Sequence, residues 1–91
     1  MDISVVVPLY NEEESLPELE AWIARVMDEH KFSYGIIFVN DGSTDGSRRV
    51  IEDLRKHNPN VKGISFRRNY GKSPALNTGF RAAKGDVVIT M

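Results

Sequence analysis

Cysteine is absent from the sequence, which excludes a disulfide framework and any thiolate metal centre and fits a reducing compartment. No stretch approaches the roughly 20 consecutive apolar residues that a membrane-spanning helix needs. The chain starts Met1-Asp2 and runs straight into an apolar strand, so no signal peptide is expected. Charge of one sign is also lacking: 12 Lys and Arg stand against 13 Asp and Glu, for a net charge of -1. That balance gives no support to a bulk electrostatic partner such as nucleic acid. There is no low-complexity tract and no internal repeat. What remains, 41% hydrophobic and 27% charged with seven Gly and four Pro, is the composition of an ordinary soluble globular chain. Ninety-one residues make one domain or part of one. A chain of this size buries only roughly 60–65% of its unfolded surface, so its stability margin is thin.

Four short apolar runs alternate with three helical patterns. Ile3 to Pro8 is a short run rich in β-branched residues and closed by proline, as suits a strand buried on both faces of a parallel sheet. Leu16, Leu19, Ile23, Val26 and His30 recur at three- and four-residue steps and mark one helical stripe, with an acidic entry and Pro17 in the first turn. Tyr34 to Val39 is the second strand. Ser43, Thr44 or Asp45 caps the second helix, whose inward residues are Val50, Ile51 and Leu54. Asn58-Pro59-Asn60 ends that helix, and Val61 to Phe66 is a third, more polar strand. Ser73 caps a third helix with Pro74 at its first position; Ala75, Leu76, Gly79, Phe80 and Ala83 form its buried stripe, and Gly85 closes it. Asp86 to Met91 is the fourth strand. The order βαβαβαβ, with connections too long for hairpins, predicts a parallel α/β sheet with right-handed crossovers.

In such sheets ligands gather outside the carboxyl ends of the strands. Three polar clusters fall there: Pro8 to Glu12, Asn40 to Asp45, and Arg67 to Lys72. Asp41 is placed to accept hydrogen bonds from a base N–H or from ribose hydroxyls. An Asp-Gly turn in which the carboxylate bonds its own backbone gives the same sequence. Gly42 suits either close backbone approach or positive φ. Tyr10 offers an aromatic face and Glu12 a carboxylate, while Glu13 and Glu14 read as decoration of a helix N-terminus. Arg67, Arg68 and Lys72 bring cations that suit a diphosphate or a phosphorylated acceptor, beside the free N–H groups of a helix start. Two motifs fail. Gly71-Lys72-Ser73 lacks the glycine five positions earlier that a phosphate-binding P-loop requires, because Phe66 stands there. Gly42 and Gly46 have the wrong spacing for the dinucleotide fingerprint. His30 and His57 are expected on the surface, and Trp22 in packing.

Val5-Val6-Val7-Pro8-Leu9-Tyr10-Asn11-Glu12-Glu13, followed by Phe38-Val39-Asn40-Asp41-Gly42-Ser43-Thr44-Asp45-Gly46, resembles the start of a family-2 glycosyltransferase. Arg68-Asn69-Tyr70-Gly71-Lys72 and Ala83-Lys84-Gly85-Asp86-Val87-Val88 resemble the dolichol-phosphate mannosyltransferase-like branch, which moves a sugar onto a polyprenyl phosphate. The resemblance covers the whole chain. It implies a Rossmann-like parallel sheet with helices on both faces, the N-terminal part of a GT-A fold. It also implies that Pro8, Tyr10, Glu12, Val39 and Asp41 hold the nucleoside of a UDP- or GDP-linked sugar, with Asp41 on the base. Where the family often has Asp-Asp, this chain has Asn40-Asp41, so the second acid is kept. Arg68 and Lys72 are the candidates for the donor diphosphate or the acceptor phosphate.

By the same resemblance the enzyme inverts the anomeric centre and uses Mg²⁺ or Mn²⁺ to neutralise the leaving diphosphate. Its Asp-x-Asp metal motif would begin directly after Met91. Residues 1–91 are therefore expected to be one nucleotide-sugar-binding subdomain without catalytic residues or metal ligands, inactive in transfer on its own. The parent protein is expected to be cytoplasmic and membrane-associated on the cytoplasmic face. The rival reading is a non-catalytic nucleotide-binding or flavodoxin- or receiver-like module. A receiver wants an acidic pair after strand one and a phosphorylatable Asp after strand three, where this chain has Pro8-Leu9-Tyr10 and Asn69. Self-association through the open sheet edge is a further expectation.

Overall fold

The computed structural model describes residues 2–69, 71–83 and 87–90, with residues 72, 73, 76 and 87–90 described at the level of the backbone. The elements alternate as the apolar pattern predicts. They are β1 (Ile3–Leu9), α1 (Leu16–Glu29), β2 (Tyr34–Asn40), α2 (Ser47–His57), β3 (Val61–Ser65), α3 (Lys72–Ala82) and β4 (Val87–Thr90). Gly85, which the sequence assigns to the close of α3, and Asp86 and Met91, the expected ends of β4, lie outside the described residues.

All strands are parallel and stand in the order β3-β2-β1-β4. This order decides against the flavodoxin-like rival. In that fold β1 sits between β2 and β3, whereas the dinucleotide-binding order runs 3-2-1-4. Here β2 pairs with β1 along its whole length, Ile3 opposite Tyr34 through Leu9 opposite Asn40, and β3 lies on its other side. The chain thus steps one way from β1 to β3 and then returns past β1 to β4. Crossovers of a single hand must place helices on opposite faces when the direction reverses.

The packing shows that reversal. Ile3, Val5, Val7 and Leu9 of β1 and Tyr34, Ile36 and Phe38 of β2 meet Leu16, Ile23 and Met27 of α1 and Ile51 of α2 in one core. Val6, Ile37 and Val39, the alternate residues, meet Ala75 of α3 in a second. Strands buried on both faces carry continuous apolar runs because neither side of the pleat faces water. Every residue of β2 is buried.

α3 lies close against the sheet because Gly79 has no side chain. A Cβ there would run into Val6 Cγ1 and approach Val39 Cγ2 to 3.3 Å.

Four sequence expectations shift. The inward stripe of α1 runs through Met27, with Val26 only half-buried and His30 exposed beyond the helix end. Trp22, expected in packing, lies on the outer face and is 48% exposed. Phe80, placed in the buried stripe of α3, is 46% exposed: with Ala75 and Gly79 facing the sheet, position 80 turns out to solvent. α3 begins two residues earlier than expected, at Lys72 with Gly71 at φ 99 before it, so Ser73 and Pro74 fall inside the first turn. The side chains of Ser73 and Leu76 lie outside the described residues. His57 is on the surface as expected, its Nδ1 2.8 Å from the carbonyl oxygen of Asp53.

Candidate functional site

The three polar clusters emerge on one rim, and the ladder extends into them. Asp41 N–H donates to the Leu9 carbonyl (2.9 Å) and Phe66 N–H to the Asn40 carbonyl (2.8 Å). The register that sets Leu9 opposite Asn40 therefore sets Tyr10 beside Asp41. Tyr10 is 44% exposed, while Asp41 is 4% exposed. A buried carboxylate must be hydrogen-bonded to be tolerated. Asp41 Oδ2 accepts from the Gly71 main-chain N–H at 3.0 Å. The Arg67–Lys72 loop is thereby drawn over the end of β2.

Gly42 permits that closure. It has φ 71, and a Cβ on it would collide with the Arg68 carbonyl carbon and the Asn69 nitrogen. Its need for close approach is met by the chain's own third loop. Arg67 and Arg68 are exposed on that loop. Lys72 opens α3, and its side chain lies outside the described residues, as does Tyr70.

The first and second loops are joined by a denser set of bonds. Asn40, buried at 3% exposure, accepts the Ser43 N–H at 3.1 Å, which shapes the turn after β2. Asn11 Oδ1 accepts from the N–H groups of Thr44 (2.8 Å) and Asp45 (3.3 Å), and Asn11 N–H donates to Ser43 Oγ (2.9 Å). Ser47 is completely buried; its Oγ accepts from Glu12 N–H (3.0 Å) and donates to Asp45 Oδ1 (2.6 Å). Asp45 Oδ1 also accepts the Ser47 N–H at 2.9 Å, which covers one open donor at the start of α2. The cap position of α2 is Gly46 and not Ser43, Thr44 or Asp45 as expected: Asp45 stands one residue before it and bonds Ser47 from there. Asn11 falls within the first expected rim cluster, but its reach to the second loop, like that of Ser47, is not foreshadowed by the sequence. A polar residue at a strand end gives no sign, in one dimension, of which loop it will reach.

The remaining candidates take different positions. Glu12 is exposed and accepts a hydrogen bond from Ser15 Oγ at 3.0 Å. Pro8 is half-buried near the end of β1. Val39 is wholly buried beneath α3, so it underlies the rim without lining it. Among the described residues no three His, Asp or Glu side chains come together as a cation site. These residues by themselves do not fit a divalent metal.

The hydrogen bonds from Ser47 hold the Asp45 carboxyl below the usual carboxylate range. A group whose pKa is lower folded than unfolded contributes stability above its unfolded pKa, and that contribution is lost as pH falls through the folded value. Asp45→Asn is therefore expected to flatten the acid side of the stability profile. Urea melts at neutral pH and at steps below pH about 4, the ordinary carboxylate value, will show this as a smaller pH-dependent loss in the variant. An unchanged acid-side slope would count against the role given to Asp45.

A doubly wound parallel sheet in the order 3-2-1-4, with its polar loops on one rim, defines a Rossmann-like α/β domain. The chain belongs to glycosyl transferase family 2, whose model matches residues 4–91. It is 42% identical over 90 residues to the undecaprenyl-phosphate 4-deoxy-4-formamido-L-arabinose transferase of Aeromonas hydrophila subsp. hydrophila, covering 98% of this chain and 28% of that protein. It is 42% identical over 89 residues to the bactoprenol glucosyl transferase of Shigella phage SfV, covering 98% of this chain and 29% of that protein.

Among solved structures, S. aureus TarS in complex with UDP-GlcNAc superposes with a TM-score of 0.84 at 28% identity, over 100% of this chain and 26% of that one. The mannosyltransferase PcManGT from Pyrobaculum calidifontis, solved with GDP-Man and Mn²⁺, superposes with a TM-score of 0.74 at 27% identity, over 94% of this chain and 25% of that one. The four strands and three helices are the N-terminal part of a GT-A glycosyltransferase fold. The chain spans little more than a quarter of the curated relatives it matches. No helix among the described residues is long and apolar enough to cross a membrane.

Proposed function

We propose that residues 1–91 are the nucleotide-binding part of an inverting glycosyltransferase that moves a sugar from a nucleotide-diphospho-sugar to a polyprenyl phosphate. The observation that carries this is the juxtaposition of exposed Tyr10 with buried, hydrogen-bonded Asp41 at adjoining strand ends. A carboxylate offers about four lone-pair sites and can accept several hydrogen bonds at once, which suits Asp41 to a base N–H as well as to Gly71. Tyr10 gives the base a face to lie on, with Glu12 and Pro8 beside it and Val39 as buried support. Arg68 and Lys72, on the loop that closes over Asp41, are the candidates for donor diphosphate or acceptor phosphate.

The relatives' names, an undecaprenyl-phosphate sugar transferase and a bactoprenol glucosyl transferase, support a polyprenyl-lipid acceptor and hence a membrane-associated parent; action from the cytoplasmic face is part of the same proposal. An acceptor phosphate is ionised at neutral pH. Positioning and charge neutralisation therefore weigh more in such a transfer than a strong general base. In this family a bound Mg²⁺ or Mn²⁺ would supply neutralisation of the departing diphosphate. We assign none of the described residues to hold it.

Titration of the ¹⁵N-labelled protein with UDP and with GDP tests the assignment. Amide shifts centred on residues 9–12, 40–43 and 69–71 are expected, and the preferred nucleotide identifies the base. Shifts confined to the outer faces of α1 and α2 would sink it.

A further inference from the structure

We propose that Asn11 is a positioning residue: it sets the place of Tyr10 relative to Asp41 by clamping the first rim loop to the second. The inference rests on the nucleotide site proposed above and deepens it. Three observations carry it. Asn11 sits at φ 53, a left-handed conformation that asparagine tolerates better than most residues and that turns the chain sharply after Tyr10. Its main-chain N–H and both ends of its side-chain amide engage residues 43–45 of the second rim loop.

The partners, third, are not surface hydroxyls at large. They belong to the loop that begins at Asp41, so the clamp spans the two residues on which the site depends. Buried Ser47 repeats the connection one residue further on, from its Oγ to the N–H of Glu12. Without Asn11 the end of β1 would still be held through Leu9 and through Glu12. Tyr10, between those two anchors, would lose the restraint on its own turn. Misplacement of a binding group by about 1 Å is enough to cost affinity or rate substantially.

Asn11→Gly separates position from backbone strain, because glycine adopts positive φ freely and deletes only the side-chain bonds. In the full chain, Asn11→Gly is expected to weaken UDP or GDP binding by about five- to tenfold, measured by calorimetry well below the melting temperature. Asn11→Asp keeps the acceptor for Thr44 and Asp45 and should recover most of that loss.

The deciding measurement is the cycle with Tyr10→Ala. If Asn11 acts through Tyr10, Asn11→Gly adds little further loss in the Tyr10→Ala background. Independent, multiplicative losses overturn the proposal, as does undiminished affinity in Asn11→Gly when Tyr10→Ala alone weakens binding. If Tyr10→Ala leaves binding unchanged, the reading of the site fails first and this inference falls with it. Should Asn11→Gly not fold, Ser43→Ala removes one bond of the same clamp and enters the same cycle.

Discussion

Gly42→Ala is expected to destabilise the chain by about 3 kcal/mol, the largest effect of any single methyl group added at the rim. Two costs add. A residue with a Cβ held at φ 71 pays about 1–2 kcal/mol for the left-handed conformation. The added carbon also meets main chain, the Arg68 carbonyl carbon and the Asn69 nitrogen, with Arg68 Cα at 2.6 Å. Overpacking of this kind costs about 1–3 kcal/mol, and main chain yields less readily than a side-chain tip. Against a total stability of about 5–15 kcal/mol for a domain, such a loss is severe.

Relief of the strain is expected to lift the Arg67–Asn69 turn and to draw the Gly71 amide away from Asp41. Urea denaturation will give the first number, and hydrogen exchange at the Gly71 amide will report the second. A variant with native stability and a protected Gly71 amide would show that the third loop does not close on Gly42.

Asp41→Asn is expected to cost nucleotide affinity about 10- to 100-fold while leaving the fold in place. The substitution is nearly isosteric, and the amide oxygen can still accept from Gly71 N–H. What is lost is the charge and half of the acceptor capacity toward a base. Hydrogen bonds to charged groups contribute about 1.5–3 kcal/mol, and about 1.4 kcal/mol is tenfold in affinity. Calorimetric titration of the full chain with UDP and GDP measures it, and thermal melts alongside separate affinity from stability. Unchanged affinity in a well-folded variant would remove Asp41 from the site and leave it as the anchor of the third loop alone. The two substitutions test different links: Gly42 the closure of the rim, Asp41 its chemistry.

Element type was legible in the sequence because parallel strands buried on both faces must be apolar without alternation. Val5 to Val7 and Tyr34 to Val39 show that pattern plainly, and the helices between them carry their own period. The errors are of rotation and of boundary. Phe80 and Trp22 are large apolar residues that lie on outer faces, since Gly79 and Ala75 on one helix and Ile23 and Met27 on the other already fill the space against the sheet. Large apolar residues are inside only as a tendency. Proximity of the three rim clusters followed from parallel strand direction alone. Which side chain reaches which loop did not: Asn11, Asp45 and Ser47 bond across 32 to 35 residues of sequence, and nothing local encodes that.

By itself the sequence determined the alternation of strands and helices, the polar character of every loop after a strand, and, through its motifs, the family. These are properties of short segments, set by side-chain period and turn chemistry. Strand order was decided only in three dimensions. The same βαβαβαβ string is compatible with a flavodoxin-like or a 3-2-1-4 sheet, and the choice rests on which side of β1 the later strands find their partners. The tertiary structure likewise decided that Asp41 is buried and bonded to Gly71, that Gly42 makes room for the chain's own backbone, and that two loops are clamped through Asn11. Each of those depends on contacts between residues far apart in the chain, where geometry, and no local propensity, sets the outcome.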